Sequence, residues 1–78
     1  MLEVDRETAR WRQRAHEAFD KIWKRGIKGR GQAYKWLRLR LRLPKGQDHI
    51  SKLSVEQCQE LIEAVYKRWP ELRPRNGV

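Results

Sequence analysis

Ten lysine and arginine side chains stand between positions 21 and 45 with no aspartate or glutamate among them: Lys21, Lys24, Arg25, Lys28, Arg30, Lys35, Arg38, Arg40, Arg42 and Lys45. Ammonium and guanidinium groups at this density have one ready chemistry, the binding of anionic oxygens, and arginine's forked donors match phosphate. The flanks are close to neutral. Residues 1–20 carry four basic and five acidic side chains and residues 46–78 five of each, against a net charge of +9 over 78 residues. Crowding like charges into one third of a small chain raises the energy of its compact state. An anionic partner offsets that cost.

Nucleophilic chemistry would need Cys58 beside His16 or His49. Cys58, however, falls on an apolar helical stripe, where a buried and unactivated thiol is expected. His16 with Asp20 one turn on reads as a surface helix pair, and Asp48 beside His49 as a loop-stabilising pair. Glu56, Glu60 and Glu63 recur along the solvent side of one helix rather than converging as a two-metal nuclease requires. No enzymatic activity and no cofactor are therefore expected. With a single cysteine in the chain, neither an intramolecular disulfide nor a zinc site of the usual Cys/His spacing can be assembled. That usage fits a reducing compartment, the cytoplasm. The longest apolar runs are only a few residues, far short of the roughly 20 that cross a bilayer, so no membrane association is expected.

These side chains need a scaffold, and the length permits one domain of marginal stability. Four Trp, two Tyr and one Phe supply its core, since each such ring buries about 150–250 Å². Over residues 5–23, Trp11, Ala15, Ala18, Phe19, Ile22 and Trp23 recur at three- and four-residue steps, the pattern of an amphipathic helix. Gly26 supplies its left-handed stop. Residues 26–31 hold three glycines and read as a basic loop whose backbone can approach a ligand.

Residues 33–43 include the alternation Leu37-Arg-Leu-Arg-Leu-Arg-Leu43, which suits a strand, but no other run offers a partner strand. At about 100° per residue, Ala33, Tyr34, Trp36, Leu37, Leu39, Leu41 and Leu43 form one broad apolar arc, with Lys35, Arg38 and Arg42 on the opposite ridge. A second helix is therefore predicted, ending before Pro44. Arg40 falls inside the arc and must snorkel or pair. Residues 45–52 form a loop anchored by Ile50. The third helix begins with Ser54 and Gln57 as a capping box, Leu53 stapling onto Cys58. Its stripe is Cys58, Leu61, Ile62, Val65, Tyr66 and Trp69, and Pro70 ends it. The expected product is an all-α, compact three-helix domain over residues 1–72, with a basic Gly-rich loop between the first two helices and a disordered tail over 73–78.

The string Ala15-His-Glu-Ala-Phe-Asp-Lys-Ile-Trp-Lys24, then Gly-Arg-Gly-Gln-Ala-Tyr-Lys-Trp-Leu37, His49-Ile50 and Glu56-Gln-Cys58 resembles the C-terminal helical part of a small family of uncharacterised phage and bacterial proteins. Those proteins usually carry a Cys-rich zinc-finger segment ahead of this part. The resemblance spans about residues 11–66 and rests mostly on core positions, so it implies a fold and a phage or prophage origin in a bacterial host. The zinc-ligand cysteines are absent here, so metal binding is not implied.

The candidate anion site comprises Lys24, Arg25, Lys28 and Arg30 at the exit of the first helix, and Lys35, Arg38 and Arg42 on the ridge of the second. Binding to the DNA or RNA backbone is the leading expectation. Base reading is disfavoured because the predicted second helix lacks the Asn, Gln and Ser usually mixed with Arg on a reading face. The apolar arc assigns Trp23, Trp36 and Trp69 to the core, against stacking of unpaired bases on Trp36 or Tyr34. Trp11, among Arg10, Arg12 and Arg14, is expected half exposed. An alternative partner is an acidic surface on a host protein machine such as a polymerase, nuclease or CRISPR complex. A homodimer through Trp11 or surplus apolar area on the second helix stays open.

Overall fold

The computed structural model describes residues 5–44, 46 and 49–74. Three α-helices follow one another, α1 over Arg6–Lys24, α2 over Arg30–Leu41 and α3 over Val55–Arg68, with short 3₁₀ turns at Ile50–Lys52 and Pro70–Leu72. No strand occurs among the described residues.

Asp5 caps α1, its carboxylate accepting from the Thr8 N–H at 3.0 Å. The helix buries Ala15, Ala18, Phe19 and Ile22 on one face. At the other end Gly26 adopts φ +74°, the Gly26 N–H donates to Trp23 O at 3.2 Å and the Ile27 N–H to Ile22 O at 2.9 Å. These paired bonds form a Schellman motif, for which glycine has the right backbone freedom. The Lys28 N–H also reaches Ile22 O, at 3.3 Å. The reversal is complete by Lys28, which lets Gly29 act as N-cap of α2. Helix 2 accordingly starts three residues before the predicted position 33 and absorbs Gly31. The basic loop shortens to residues 25–29.

Helix 2 also stops earlier than predicted. Arg42 takes the left-handed conformation at φ 57°, ψ 42°, and the Leu43 N–H closes back on Arg38 O at 2.9 Å. Pro44 disfavours an α conformation for Leu43, so the chain reverses at Arg42, whose neighbour Leu43 packs against the core. Only Ala33, Leu37 and Leu41 of the broad arc are buried. Leu39, assigned inward from the sequence, is 66% exposed.

Ser54 and Gln57 form the expected reciprocal capping box of α3, with bonds of 3.1 Å from the Gln57 N–H to Ser54 Oγ and 2.9 Å from the Ser54 N–H to Gln57 Oε1. Leu53 and Cys58, the proposed staple, are both buried, and Ile50 anchors the preceding turn. Helix 3 ends at Arg68, and the turn after it returns Leu72 to the core. Two long side chains lock this arrangement. Arg12 Nε donates to Leu53 O at 2.8 Å, and Lys21 Nζ reaches Tyr66 Oη and Leu72 O, each at 3.0 Å. The expected tail over 73–78 lies outside the described residues from position 75 onward. The pair expected of Asp48 and His49 likewise lies outside them, through Asp48.

Candidate nucleic-acid interface

Trp23, at the end of α1, organises the first group of cations. Lys24 Nζ stands 5.8 Å and Arg30 Cζ 5.5 Å from its ring centroid, and Arg30 also lies 5.9 Å from the ring of Tyr34. Two cations from consecutive helices thus share one indole. Trp23 itself is half-buried rather than core, and its buried Nε1–H has no acceptor among the described residues. Arg25, at the C-cap of α1, is exposed.

A second group lies along the outer side of α2. Lys28, Gln32, Lys35, Trp36 and Leu39 line a shallow groove of about 340 Å³. Trp36 is half-buried, a departure from its expected place in the core. Its ring rests on Trp69, centroids 5.0 Å apart and planes at 59°. Trp36 also lines another groove of about 310 Å³, together with Arg40, Ala64, Lys67 and Arg68. Arg68 Cζ is 5.3 Å from the Trp69 ring. Arg40 therefore escapes the core by its position on the rim of the helix 2–helix 3 seam.

Contacts and a shared groove link several of the seven residues named from the sequence. Lys24 and Arg30 are joined by Trp23, and Lys28 and Lys35 by the groove beside Trp36. Arg38 is half-buried and Arg42 exposed, and at about 100° per residue Arg38 falls about 160° around α2 from Trp36. Lys35, which shares the groove with Trp36, is only about 60° from Arg38, so the cations of α2 continue from the groove round to Arg38. Sequence reasoning missed Arg40, Lys67 and Arg68, which packing of α2 on α3 brings beside Trp36. The adjacency of Lys67 and Arg68 to Trp69, just before the helix-ending Pro70, was the available signal.

Aromatic rings take the place that carboxylates usually hold. Besides Lys24, Arg30 and Arg68, Arg14 lies 5.2 Å from the Trp11 ring, and Lys21 and Arg73 lie 5.1 and 5.8 Å from that of Tyr66. Among the described residues one ion pair falls within 4.0 Å, His16 Nδ1 to Asp20 Oδ2 at 3.1 Å. A ring attracts a cation by about 0.5–1 kcal/mol at an exposed site without neutralising it. The positive field over α1, the loop and α2 therefore stays available to an anion.

Cys58 is fully buried among core side chains, and burial pushes its thiol pKa up, with the Arg12 guanidinium acting in the other direction. His16 faces Asp20 on α1. Among the described residues no three His, Cys, Asp or Glu side chains converge. These residues do not fit a zinc ion.

Fold and surface together define a small three-helix domain with an unneutralised cationic and aromatic face. The chain belongs to a family described as a zinc-finger-containing domain, whose sequence model matches residues 3–68. It stands in that family with a single cysteine. No curated protein and no solved structure shows a significant match to it.

Proposed function

We propose that this chain is a small basic nucleic-acid-binding protein that grips DNA or RNA through phosphate-backbone contacts, and that it is phage- or prophage-encoded and works in the bacterial cytoplasm. The observation that carries the reading is that no described lysine or arginine has a described carboxylate within 4.0 Å, although their concentration in one third of the chain is unfavourable for folding alone. Helix 2 rises about 18 Å from Arg30 to Arg42, equivalent to about five steps along one strand at 3.4 Å each. The family description also favours a nucleic-acid ligand, because zinc fingers commonly bind one. Origin and compartment rest on the sequence resemblance and the lone cysteine.

A salt titration of binding to short duplex and single-stranded oligonucleotides tests this. With about six phosphates engaged, log affinity falls against log salt with a slope near −5, and Arg38→Glu/Arg42→Glu brings the slope up by about 2. Absence of binding at low salt, or affinity indifferent to added salt, contradicts the proposal.

A second reading draws on Leu39. An exposed leucine among Lys28, Lys35 and Gln32 suits a protein surface, where a central apolar contact is ringed by charge. On that reading the same face docks on the acidic surface of a host polymerase, nuclease or CRISPR complex. Association with a host protein that survives nuclease treatment would favour it.

A further inference from the structure

We propose that Trp36 is a stacking platform for an unpaired base, so that single-stranded rather than duplex nucleic acid is the preferred ligand of this face. The inference rests on the nucleic-acid reading above and adds to it the ligand's secondary structure. Trp36 lines two grooves, one shared with Lys28 and Lys35 and one with Arg40, Lys67 and Arg68, and both volumes lie at the lower end of the range for small-ligand pockets. Its other support is Trp69, 95% buried from solvent by the 5% exposure it retains, which fixes the indole from beneath at 5.0 Å.

A partly exposed ring held by a buried one presents a rigid π-surface. Bases stack on such surfaces with little regard to sequence, provided that they are not already paired. Charge in both grooves completes the arrangement. Lys28 and Lys35 flank one groove and Arg40, Lys67 and Arg68 the other. A strand crossing Trp36 therefore meets cations before and after the stacked base, where its successive phosphates lie. A duplex cannot present a base face to the ring without unstacking, which costs a few kcal/mol per step. Arg38, about 160° around α2 from Trp36, takes no part in the platform.

The experiment compares wild type, Trp36→Leu and Trp36→Phe for binding to oligothymidylate, oligouridylate and a DNA duplex of equal length, with circular dichroism to establish folding. Trp36→Leu should weaken binding to the single strands by about tenfold or more, leave duplex affinity and the salt slope unchanged, and be largely rescued by Trp36→Phe. The two single strands separate DNA from RNA as the source of the base. Equal loss on single strand and duplex in folded variants overturns the platform, as does unchanged single-strand affinity, while salt-dependent binding by the wild type leaves the broader proposal standing. If Trp36→Leu unfolds, the decision passes to Trp36→Phe and to Lys28→Glu/Arg40→Glu: failure of the latter to reduce single-strand binding more than duplex binding overturns the inference. No binding of the wild type to any of the three ligands overturns both proposals.

Discussion

The ammonium of Lys21 and the hydroxyl of Tyr66 meet 3.0 Å apart across the α1–α3 interface, although 45 residues separate them in sequence. The same ammonium donates to Leu72 O at 3.0 Å and lies 5.1 Å from the Tyr66 ring centroid. One cation from the basic third is thus used to close the fold, and it ties down the turn that follows α3.

Lys21→Met keeps the stem and deletes both bonds. A loss of about 1–3 kcal/mol is expected from removing a charged donor from part-buried acceptors, read as a lower urea midpoint. Tyr66→Phe, which deletes one bond, should cost about 0.5–1.5 kcal/mol. A Lys21→Met protein as stable as wild type would remove Lys21 from the list of fold-closing contacts.

Arg42 holds a left-handed conformation that a Cβ atom disfavours. Arg42→Gly should stabilise the chain by about 1 kcal/mol relative to Arg42→Ala, because glycine enters this region without the steric penalty. Chemical denaturation of the two variants decides the point. If alanine proves the more stable, the Schellman closure at Leu43 does not persist in solution.

Burial raises the pKa of the Cys58 thiol more than Arg12 lowers it, so the folded chain holds this proton more tightly than the unfolded chain. That contribution is complete below the unfolded thiol value of about 8.5 and is lost as pH rises from there through the folded value. The stability advantage of wild type over Cys58→Ala should therefore shrink between neutral pH and pH about 10. A difference that stays flat over this window would exclude the thiol as its source.

Structural zinc contributes folding energy outright, so chelators unfold the domains that depend on it. The donor set here predicts the opposite: excess EDTA should leave the thermal midpoint where it was. A fall of about 4 °C or more, corresponding to about 1 kcal/mol in a domain of this size, would reveal a metal contribution.

Much of the scaffold was legible because its boundaries are set by local chemistry. Gly26 as left-handed stop, the Ser54–Gln57 box and Pro70 each act within a few residues, whereas the capping role of Asp5 was not read from the sequence. Helix 2 was harder. Seven apolar side chains spread around more than half its circumference, and only tertiary packing selects Ala33, Leu37 and Leu41 as the buried three while leaving Leu39 outside. The same ambiguity placed Trp36 in the core. The concentration of charge was visible in the sequence, but the aromatic rings around which it gathers were not. Counting cations along the chain cannot show that Arg68 of α3 shares a groove with Trp36, nor that Lys24 and Arg30 converge on one indole.

That convergence changes what it costs the protein to grasp a ligand. A free lysine or arginine surrenders up to about 2 kcal/mol of rotamer entropy when it is pinned. Lys24 and Arg30 have already given up part of that freedom on folding, each resting on Trp23. An incoming anion meets donors that are partly immobilised in advance. Replacing the indole while keeping all of the +9 charge would therefore leave the long-range pull intact and loosen the grip, so departure would quicken more than arrival slowed.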